Sequence, residues 1–257
     1  MRILSIFLLL AAISFTACEK DTDENKTQTL EIAFKAEYNE QPLQMYQDQV
    51  ITETGLTAIQ FKRLEFFLSN IKLKSASTTH ELTDVAYVDL TSKTTLEGAT
   101  EGIVMTYEDV PVGDYTSIEM GFGLPDAVNE TTPGDYSSDS PLAVNGNYWA
   151  SWSSYILSKI EGGATKSDST SVAFLYHSGV NGMLNTKEFA HSIEVSADGV
   201  TRLTFIIKAE DLFFKAGSEI DILTNNSTHS GAAGSDGYNL AKLSLDNLAN
   251  ATEISHH

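Results

Sequence analysis

Hydrophobic and polar residues alternate along most of the chain after residue 30, which is the period of a β-strand. The predicted strands cover residues 30–38, 87–90, 102–115 (with a turn at 111–114), 115–124, 171–177, 191–196 and 200–207. The last two segments flank Ala197-Asp-Gly199 and predict a β-hairpin. Strands at this spacing predict an all-β, β-sandwich-like single domain with Greek-key connections, long loops and short helical turns.

Two segments depart from simple alternation. Residues 57–74 form the strongest hydrophobic segment, in which the spacing of Ile59, Phe61 and Leu64 suits a helix in the first half. From Phe66 onward the pattern favours a strand. Residues 209–214 predict a short helical turn, and residues 239–251 contain a short helix-like segment.

A long, turn-rich connection over residues 125–147 leads into an aromatic segment at 145–162. That segment holds both tryptophans of the chain, Trp149 and Trp152, together with Tyr148 and Tyr155. Small polar residues lie between the rings, a composition that suits either a corner of the core or a binding surface. Long loops in compact domains are usually either functional or disordered.

The first residues have the pattern of a secretion signal: one positive charge, an apolar run and small residues before Cys18. Phe15-Thr-Ala-Cys18 resembles a bacterial lipobox of the Bacteroidetes type, and Cys18 is the single cysteine of the chain, which fits lipid attachment. We therefore predict a signal peptide at 1–17, an acidic tether at 18–29 and one domain at 30–257. The expected location is the outer membrane, on the cell surface or facing the periplasm, with a lipid anchor as the membrane contact.

Charge narrows the choice of partners. The chain carries 35 Asp and Glu against 16 Lys and Arg, a formal net charge of −19. Such a charge repels the phosphates of nucleic acid, so we expect no DNA or RNA binding. A hydrophobic content of 42% is sufficient for a substantial core.

Motifs for catalysis are missing from the sequence. It contains no Gly-rich phosphate loop, no His-Glu-x-x-His pair and no Gly-x-Ser-x-Gly elbow, so we do not expect an enzyme. His177 ends a predicted strand and His229 lies in a polar loop. Together with the aromatic segment they could form a copper site, although a histidine at the end of a strand is more often structural.

Several segments in order resemble the MbnP-like family, whose members are secreted relatives of a methanobactin-operon protein and of copper-binding surface proteins. The matching segments are Phe66-Phe-Leu-Ser-Asn-Ile-Lys-Leu73, Glu108-Asp-Val-Pro-Val-Gly-Asp-Tyr115, Gly121-Phe-Gly-Leu-Pro125, Tyr148-Trp149, Ser153-Ser-Tyr155, Lys159-Ile-Glu-Gly162, Phe174-Leu-Tyr-His-Ser-Gly179 and Asp211-Leu-Phe-Phe214.

This resemblance implies a β-rich extracytoplasmic domain in which histidines help to bind copper. It also implies that a partner, a di-haem cytochrome c peroxidase/MauG-like protein, oxidises a tryptophan. By position, Trp149 is the candidate for oxidation, and His177 and His229 are the candidate ligands. Ser151 and Glu130 depart from the family pattern, and Glu130 replaces a histidine that many relatives carry.

Two functional hypotheses follow. The first is a lipoprotein that binds copper or another transition metal without catalysis of its own. The alternative is a non-metal interaction module, in which Trp149, Trp152 and Tyr155 form an aromatic recognition surface or part of the core.

Overall fold

A computed structural model describes residues 26–51 and 55–255. The predicted signal peptide, Cys18 and most of the predicted tether lie outside the described residues. The first strand begins at Thr27, so the last three residues of the predicted tether belong to the folded domain. Among the described residues, no helix is long and apolar enough to cross a membrane.

The first sheet has five strands, with β12 and β1 as the central pair of the order β14-β12-β1-β2 and with β6 also paired to β1. β1 and β12 run parallel, and the other pairs are antiparallel. The strands are β1 (Thr27–Tyr38), β2 (Gln41–Pro42), β6 (Ile103–Pro111), β12 (Thr201–Lys208) and β14 (Thr252–Ile254).

The second sheet has nine strands in the order β11-β7-β4-β9-β10-β13, with β3 and β5 paired to β4 and β8 paired to β9. It carries the candidate site. Its strands are β3 (Asp48–Val50), β4 (Leu56–Lys74), β5 (Thr79–Asp89), β7 (Gly113–Phe122), β8 (Tyr148–Trp149), β9 (Ser154–Lys166), β10 (Ser171–Gly179), β11 (Asn185–Val195) and β13 (Ser227–Thr228).

Aromatic rings join the two sheets across a common core. Phe34 of β1 contacts Phe66 of β4 edge to face at 6.2 Å between ring centroids. Phe189 of β11 contacts Phe205 of β12 in the same way at 5.0 Å. These contacts, between rings that are buried, confirm the predicted β-sandwich-like architecture.

The helical alternative for the first half of residues 57–74 is wrong, because Leu56–Lys74 is one continuous strand. The pairing of β4 with β9 is interrupted by register shifts at Leu56/Ala58 and at Phe61/Arg63. A β-bulge adds one residue, so buried positions that are normally two apart become three apart. The step from Phe61 to Leu64 therefore imitates a helical spacing.

The predicted hairpin around Ala197-Asp-Gly199 is also wrong. Both strands exist, but β11 pairs with β7 in the second sheet, whereas β12 pairs with β1 and β14 in the first. The connection crosses between the sheets. Alternation shows that each segment is half-buried in a strand, and it carries no information about which sheet the strand joins.

Four helices lie outside the two sheets in the described part of the chain. The three short ones are α1 (Leu96–Glu101), α2 (Asp126–Asn129) and α3 (Asp211–Phe214), and the long connection adds single 3₁₀ turns at Pro133–Asp135, Pro141–Ala143 and Asn145–Asn147. The longest helix, α4 (Asp236–Ala251), confirms the helical prediction near the end of the chain. Its carbonyls at Gly237 and Ala241 accept hydrogen bonds from Thr228 of β13 and Ser178 of β10, each at 2.7 Å. The helix thereby holds β10, which carries His177, and β13, which ends one residue before His229.

Candidate functional site

The two tryptophans lie on a tight hairpin between β8 and β9. Trp149 pairs with Ser154, and Ser153 adopts a positive φ of 53° in the turn between them. This turn places Trp152 over Trp149, with ring centroids 4.2 Å apart and planes inclined by 23°. Both tryptophans are partly exposed, so the stacked pair is accessible from solvent.

Gly179, the last residue of β10, provides the surface against which Trp152 packs. A Cβ atom at Gly179 would lie 3.1 Å from Cζ3 of Trp152 and 3.1 Å from the carbonyl oxygen of Tyr155. Such distances are tighter than ordinary van der Waals contacts. The hairpin can therefore close onto β10 because residue 179 has no side chain.

Parallel pairing of β10 with β13 brings the two candidate histidines together. Leu175 is paired with Ser227, and Tyr176 with Thr228. His177 is the next residue of β10, and His229 is the residue directly after β13. Their rings lie perpendicular with centroids 5.1 Å apart. The structure thus unites the two candidate ligands, which are separated by more than fifty residues in sequence.

Ser230 fixes the loop that carries His229. Its hydroxyl accepts a hydrogen bond from the Gly179 amide at 2.8 Å and lies 3.2 Å from the His177 carbonyl oxygen. Ser230 has a φ of 60°, so the chain turns away from β10 directly after His229.

Trp149 contacts both histidines. Its ring centroid lies 5.1 Å from that of His229 and 6.2 Å from that of His177, and both contacts are edge to face. Trp152 lies 6.4 Å from His229. The two candidate ligands and the two tryptophans therefore form one cluster. We call it the Trp–His cluster (Trp149, Trp152, His177 and His229).

The two histidines have different environments. The side chain of His177 is 11% exposed, whereas His229 is exposed at the surface. Partial burial of the His229 ring nevertheless lowers its pKa, and the neighbouring His177 lowers it further, while Glu161 acts in the opposite direction. His229 thus favours its neutral form, the form in which an imidazole can bind a metal.

Glu161 of β9 holds His177. The Nε2 atom of His177 lies 2.8 Å from Oε1 of Glu161, and the same oxygen accepts a hydrogen bond from Nη1 of Arg63 at 3.0 Å. The hydrogen bond from His177 lowers the pKa of Glu161, and Arg63 adds to this effect against the opposing effect of burial. Glu161 is therefore a carboxylate that accepts hydrogen bonds from two sides.

The ion pairs continue away from the cluster into the sheet. Arg63 Nε lies 3.1 Å from Oε1 of Glu65, and Oε2 of Glu65 lies 2.9 Å from Nζ of Lys159. Lys159 also donates to Oδ1 of Asn147 at 2.7 Å. Because Asn147 lies two residues before Trp149, the network joins the base of the tryptophan hairpin to His177.

Glu65 is the centre of this network. Burial alone would raise its pKa, but hydrogen bonds from Tyr87 and Lys159, together with the charges of Lys159 and Arg63, lower it. Conversely, burial and the neighbouring Glu65 carboxylate raise the pKa of Tyr87. Glu65 is consequently ionised and Tyr87 is a neutral donor.

Sequence reasoning assigned no role to the members of this network. Arg63 and Glu65 are two residues apart on β4, and Lys159 and Glu161 are two residues apart on β9, so each pair projects to one face of its strand. The register then places Arg63 opposite Glu161 and Glu65 opposite Lys159. The sequence does show opposite charges two residues apart on two hydrophobic strands. This pattern identifies the network only once the register of the two strands is known.

Tyr155 lies in the core, which is one of the two positions that the interaction-module hypothesis leaves open for it. It is 0% exposed, and its hydroxyl donates to the Leu142 carbonyl at 3.1 Å. Its amide donates to Oδ1 of buried Asn129 at 2.9 Å. Tyr155 therefore anchors the long connection to β9 as a residue of the core.

Glu130 and Ser151, which depart from the family pattern, are not members of the Trp–His cluster. Glu130 accepts a hydrogen bond from the Asn181 amide at 2.6 Å, and Ser151 is exposed in the tryptophan hairpin. Across the described ranges, no group of three or more His, Cys, Asp or Glu side chains is placed to hold a metal ion. A metal at the Trp–His cluster would therefore have two imidazoles as its protein ligands.

Comparison with known proteins identifies one family. The family model named MbnP matches residues 27–231. No curated protein matches the chain. Among solved structures, MbnP from Methylosinus trichosporium is similar, with 14% sequence identity, coverage of 82% of this chain and 83% of that chain, and a TM-score of 0.49.

Proposed function

The chain belongs to the MbnP family, and from this premise we propose that it is an extracytoplasmic copper-binding protein without catalysis of its own. His177 and His229 are the proposed ligands. One observation supports the proposal above the others: the two rings lie 5.1 Å apart beside Trp149, and Nδ1 of His177 is buried without a hydrogen-bond partner in the part of the chain that the structure describes.

The donor set fits copper and argues against calcium, magnesium and zinc. Imidazole nitrogen suits copper, zinc, iron and nickel, whereas calcium and magnesium prefer oxygen ligands. Structural zinc sites take four protein ligands and catalytic ones take three, and the Trp–His cluster offers two. Bound copper would supply one-electron chemistry. The chain's own contribution is to orient two imidazoles and to cover them with indole rings.

Trp149 is the proposed site of oxidation by a partner of the di-haem cytochrome c peroxidase type. Its contacts with both histidines and its partial exposure support this assignment, because an external partner must reach the ring that it modifies. The intact mass of the protein purified from its native host tests the proposal. A mass equal to that of the encoded mature chain with its lipid would contradict it.

We also propose that Cys18 is lipidated and anchors the protein in the outer membrane. The apolar segment before Cys18 and the lack of any other cysteine support this assignment. Metabolic labelling with a fatty acid, compared between the wild type and Cys18→Ser, tests it. Equal labelling of the two proteins would contradict lipidation at Cys18.

Copper binding is tested by titrating the purified protein with Cu(I) in competition with a chromophoric chelator. We expect one copper ion per chain and at least a tenfold loss of affinity in His177→Ala and in His229→Ala. His80→Ala is the matched control, since His80 lies on β5, outside the Trp–His cluster, and its loss should leave the affinity unchanged. No binding by the wild type, or binding retained when both cluster histidines are replaced, would refute the proposal.

A recognition surface without metal remains the second candidate, and the partly exposed stack of Trp149 on Trp152 favours it. Stacked indoles present a flat apolar face that can bind a ligand ring. Trp149→Phe tests whether the indole serves the site or only the packing of the hairpin. A lower thermal stability with unchanged copper affinity would indicate a packing role for the ring.

A further inference from the structure

The two ring nitrogens of His177 are treated differently by their surroundings. Nε2 lies 2.8 Å from Oε1 of Glu161. Nδ1 is buried and has no hydrogen-bond partner among the residues that the structure covers. Buried polar atoms in native proteins are nearly always paired, so an unpaired one needs an explanation.

The chemistry of Glu161 decides which nitrogen carries the proton. An ionised carboxylate accepts hydrogen bonds and cannot donate them. Glu161 already accepts from Nη1 of Arg63 at 3.0 Å, and Arg63 is itself held by Glu65 at 3.1 Å. Since the partner of Nε2 is an acceptor, Nε2 must carry the hydrogen. In a neutral imidazole the other nitrogen, Nδ1, then has the free lone pair.

The backbone fixes this arrangement. Glu161 lies opposite Leu175 on β10 and opposite Arg63 on β4, so three adjacent strands supply His177, Glu161 and Arg63. A site built on paired strands holds its side chains more rigidly than one built on loops. The His177 ring can therefore rotate away only by breaking a charge-assisted hydrogen bond.

We propose that Glu161, braced by Arg63, is the positioning residue of the site: it holds the proton of His177 on Nε2 and presents Nδ1 as the metal-binding atom. This inference rests on the proposed copper-binding function. A carboxylate behind a metal-bound histidine is a frequent arrangement, and it fixes both the tautomer and the orientation of the ring. The unpaired Nδ1 atom is then the ligand position itself.

The test measures the tautomer and the affinity separately on the full chain. Long-range ¹⁵N–¹H correlation spectra of the metal-free protein report which histidine nitrogen is protonated, and the His177 signals are assigned by their loss in His177→Gln. Cu(I) affinity is measured by chelator competition. The variant is Glu161→Gln, whose amide can donate a hydrogen bond to Nε2 and so release the tautomer. The control is Glu188→Gln, a glutamate on β11 bonded to Lys74 and Ser117.

We expect Nδ1 of His177 to be unprotonated in the wild type and in Glu188→Gln. In Glu161→Gln we expect the proton to move to Nδ1 and the Cu(I) affinity to fall by about tenfold to a hundredfold, the usual effect of losing a residue that orients a ligand.

Three results distinguish failure of the positioning role of Glu161 from failure of the proposed copper binding. A proton on Nδ1 in the wild type would overturn the inference. An unchanged tautomer with lower affinity would overturn it as well, because Glu161 would then not act through the proton of His177. A tautomer that moves as expected in a protein that binds no copper would support the positioning role and refute the proposed function.

Discussion

The two histidines of the Trp–His cluster contact the same indole but are held in different ways. His177 lies on β10, is nearly buried, and is bonded to a network of charged side chains across three strands. His229 lies just after the short strand β13, is exposed, and is held through its neighbour Ser230. We call these the strand arm (His177 with Glu161, Arg63, Glu65 and Lys159) and the loop arm (His229 with Ser230).

The strand arm fixes the orientation of the His177 ring, whereas the loop arm leaves the His229 ring more freedom to move. Charged groups that are buried and mutually bonded have few alternative arrangements, because each unpaired partner would be costly. A loop residue held by one neighbouring hydroxyl can move at lower cost. We therefore expect loss of the buried Lys159–Glu65 pair in the strand arm to reduce stability strongly, and damage to the loop arm to affect mainly the site.

The largest effect is expected for Lys159→Met in the strand arm. The lysine side chain is 7% exposed and its partner Glu65 is 10% exposed, so the substitution leaves a buried carboxylate without one of its donors. Breaking a buried ion pair costs about 3–5 kcal/mol, and we expect about 3 kcal/mol here, because Arg63 and Tyr87 still bond to Glu65. Urea unfolding followed by circular dichroism measures the loss.

Lys208→Met is the matched control for that prediction. Lys208 lies 2.8 Å from Glu253, but both side chains are largely exposed, at 42% and 50%. Exposed pairs contribute about 0–1 kcal/mol, so this variant should be close to the wild type. Equal losses in the two variants would mean that burial of the network contributes nothing to stability.

An intermediate effect is expected for Gly179→Ala, which lies between the two arms. The new methyl group would press on Trp152 and on the backbone at Tyr155. Overpacking of this kind costs about 1–3 kcal/mol. The displaced indole should also change the near-ultraviolet circular dichroism of the stacked tryptophans. Gly146→Ala, where nothing lies within 4 Å of the added carbon, is the control. An unchanged tryptophan signal in Gly179→Ala would contradict the packing described here.

Much of the fold could be predicted from the alternation of apolar and polar residues, and each wrong prediction has a physical cause. The strand at residues 30–38 is confirmed because Leu30, Ile32, Phe34, Ala36 and Tyr38 are buried at every second position. In β4 the bulge at Phe61/Arg63 changes the spacing of buried residues, and periodicity cannot distinguish a bulge from a helical turn. The false hairpin at 191–207 has a different cause: strand partners depend on the whole chain, and alternation is local.

The candidate site could likewise be predicted only in part. His177, His229 and Trp149 could be selected from their residue types and from the family resemblance. The role of Glu161 could not, because its contact with His177 depends on the register of β9 and β10. The position of Tyr155 could not be decided from sequence, because an aromatic cluster in sequence does not reveal which rings face the core. In the structure this ring is fully buried.

The smallest change in stability is expected for Ser230→Ala in the loop arm. The substitution removes the acceptor of the Gly179 amide, and the loss of one buried hydrogen bond costs about 1 kcal/mol. His229 should then be held less firmly, so Cu(I) should bind more weakly while the tautomer of His177 stays as it is. Ser244→Ala is the control: this buried serine of α4 has a hydroxyl with no hydrogen-bond partner in the described ranges, and alanine is the better helix former. We expect only the strand arm to determine which nitrogen of His177 carries the proton. If Ser230→Ala altered the His177 tautomer as strongly as Glu161→Gln, the two arms would not be independent.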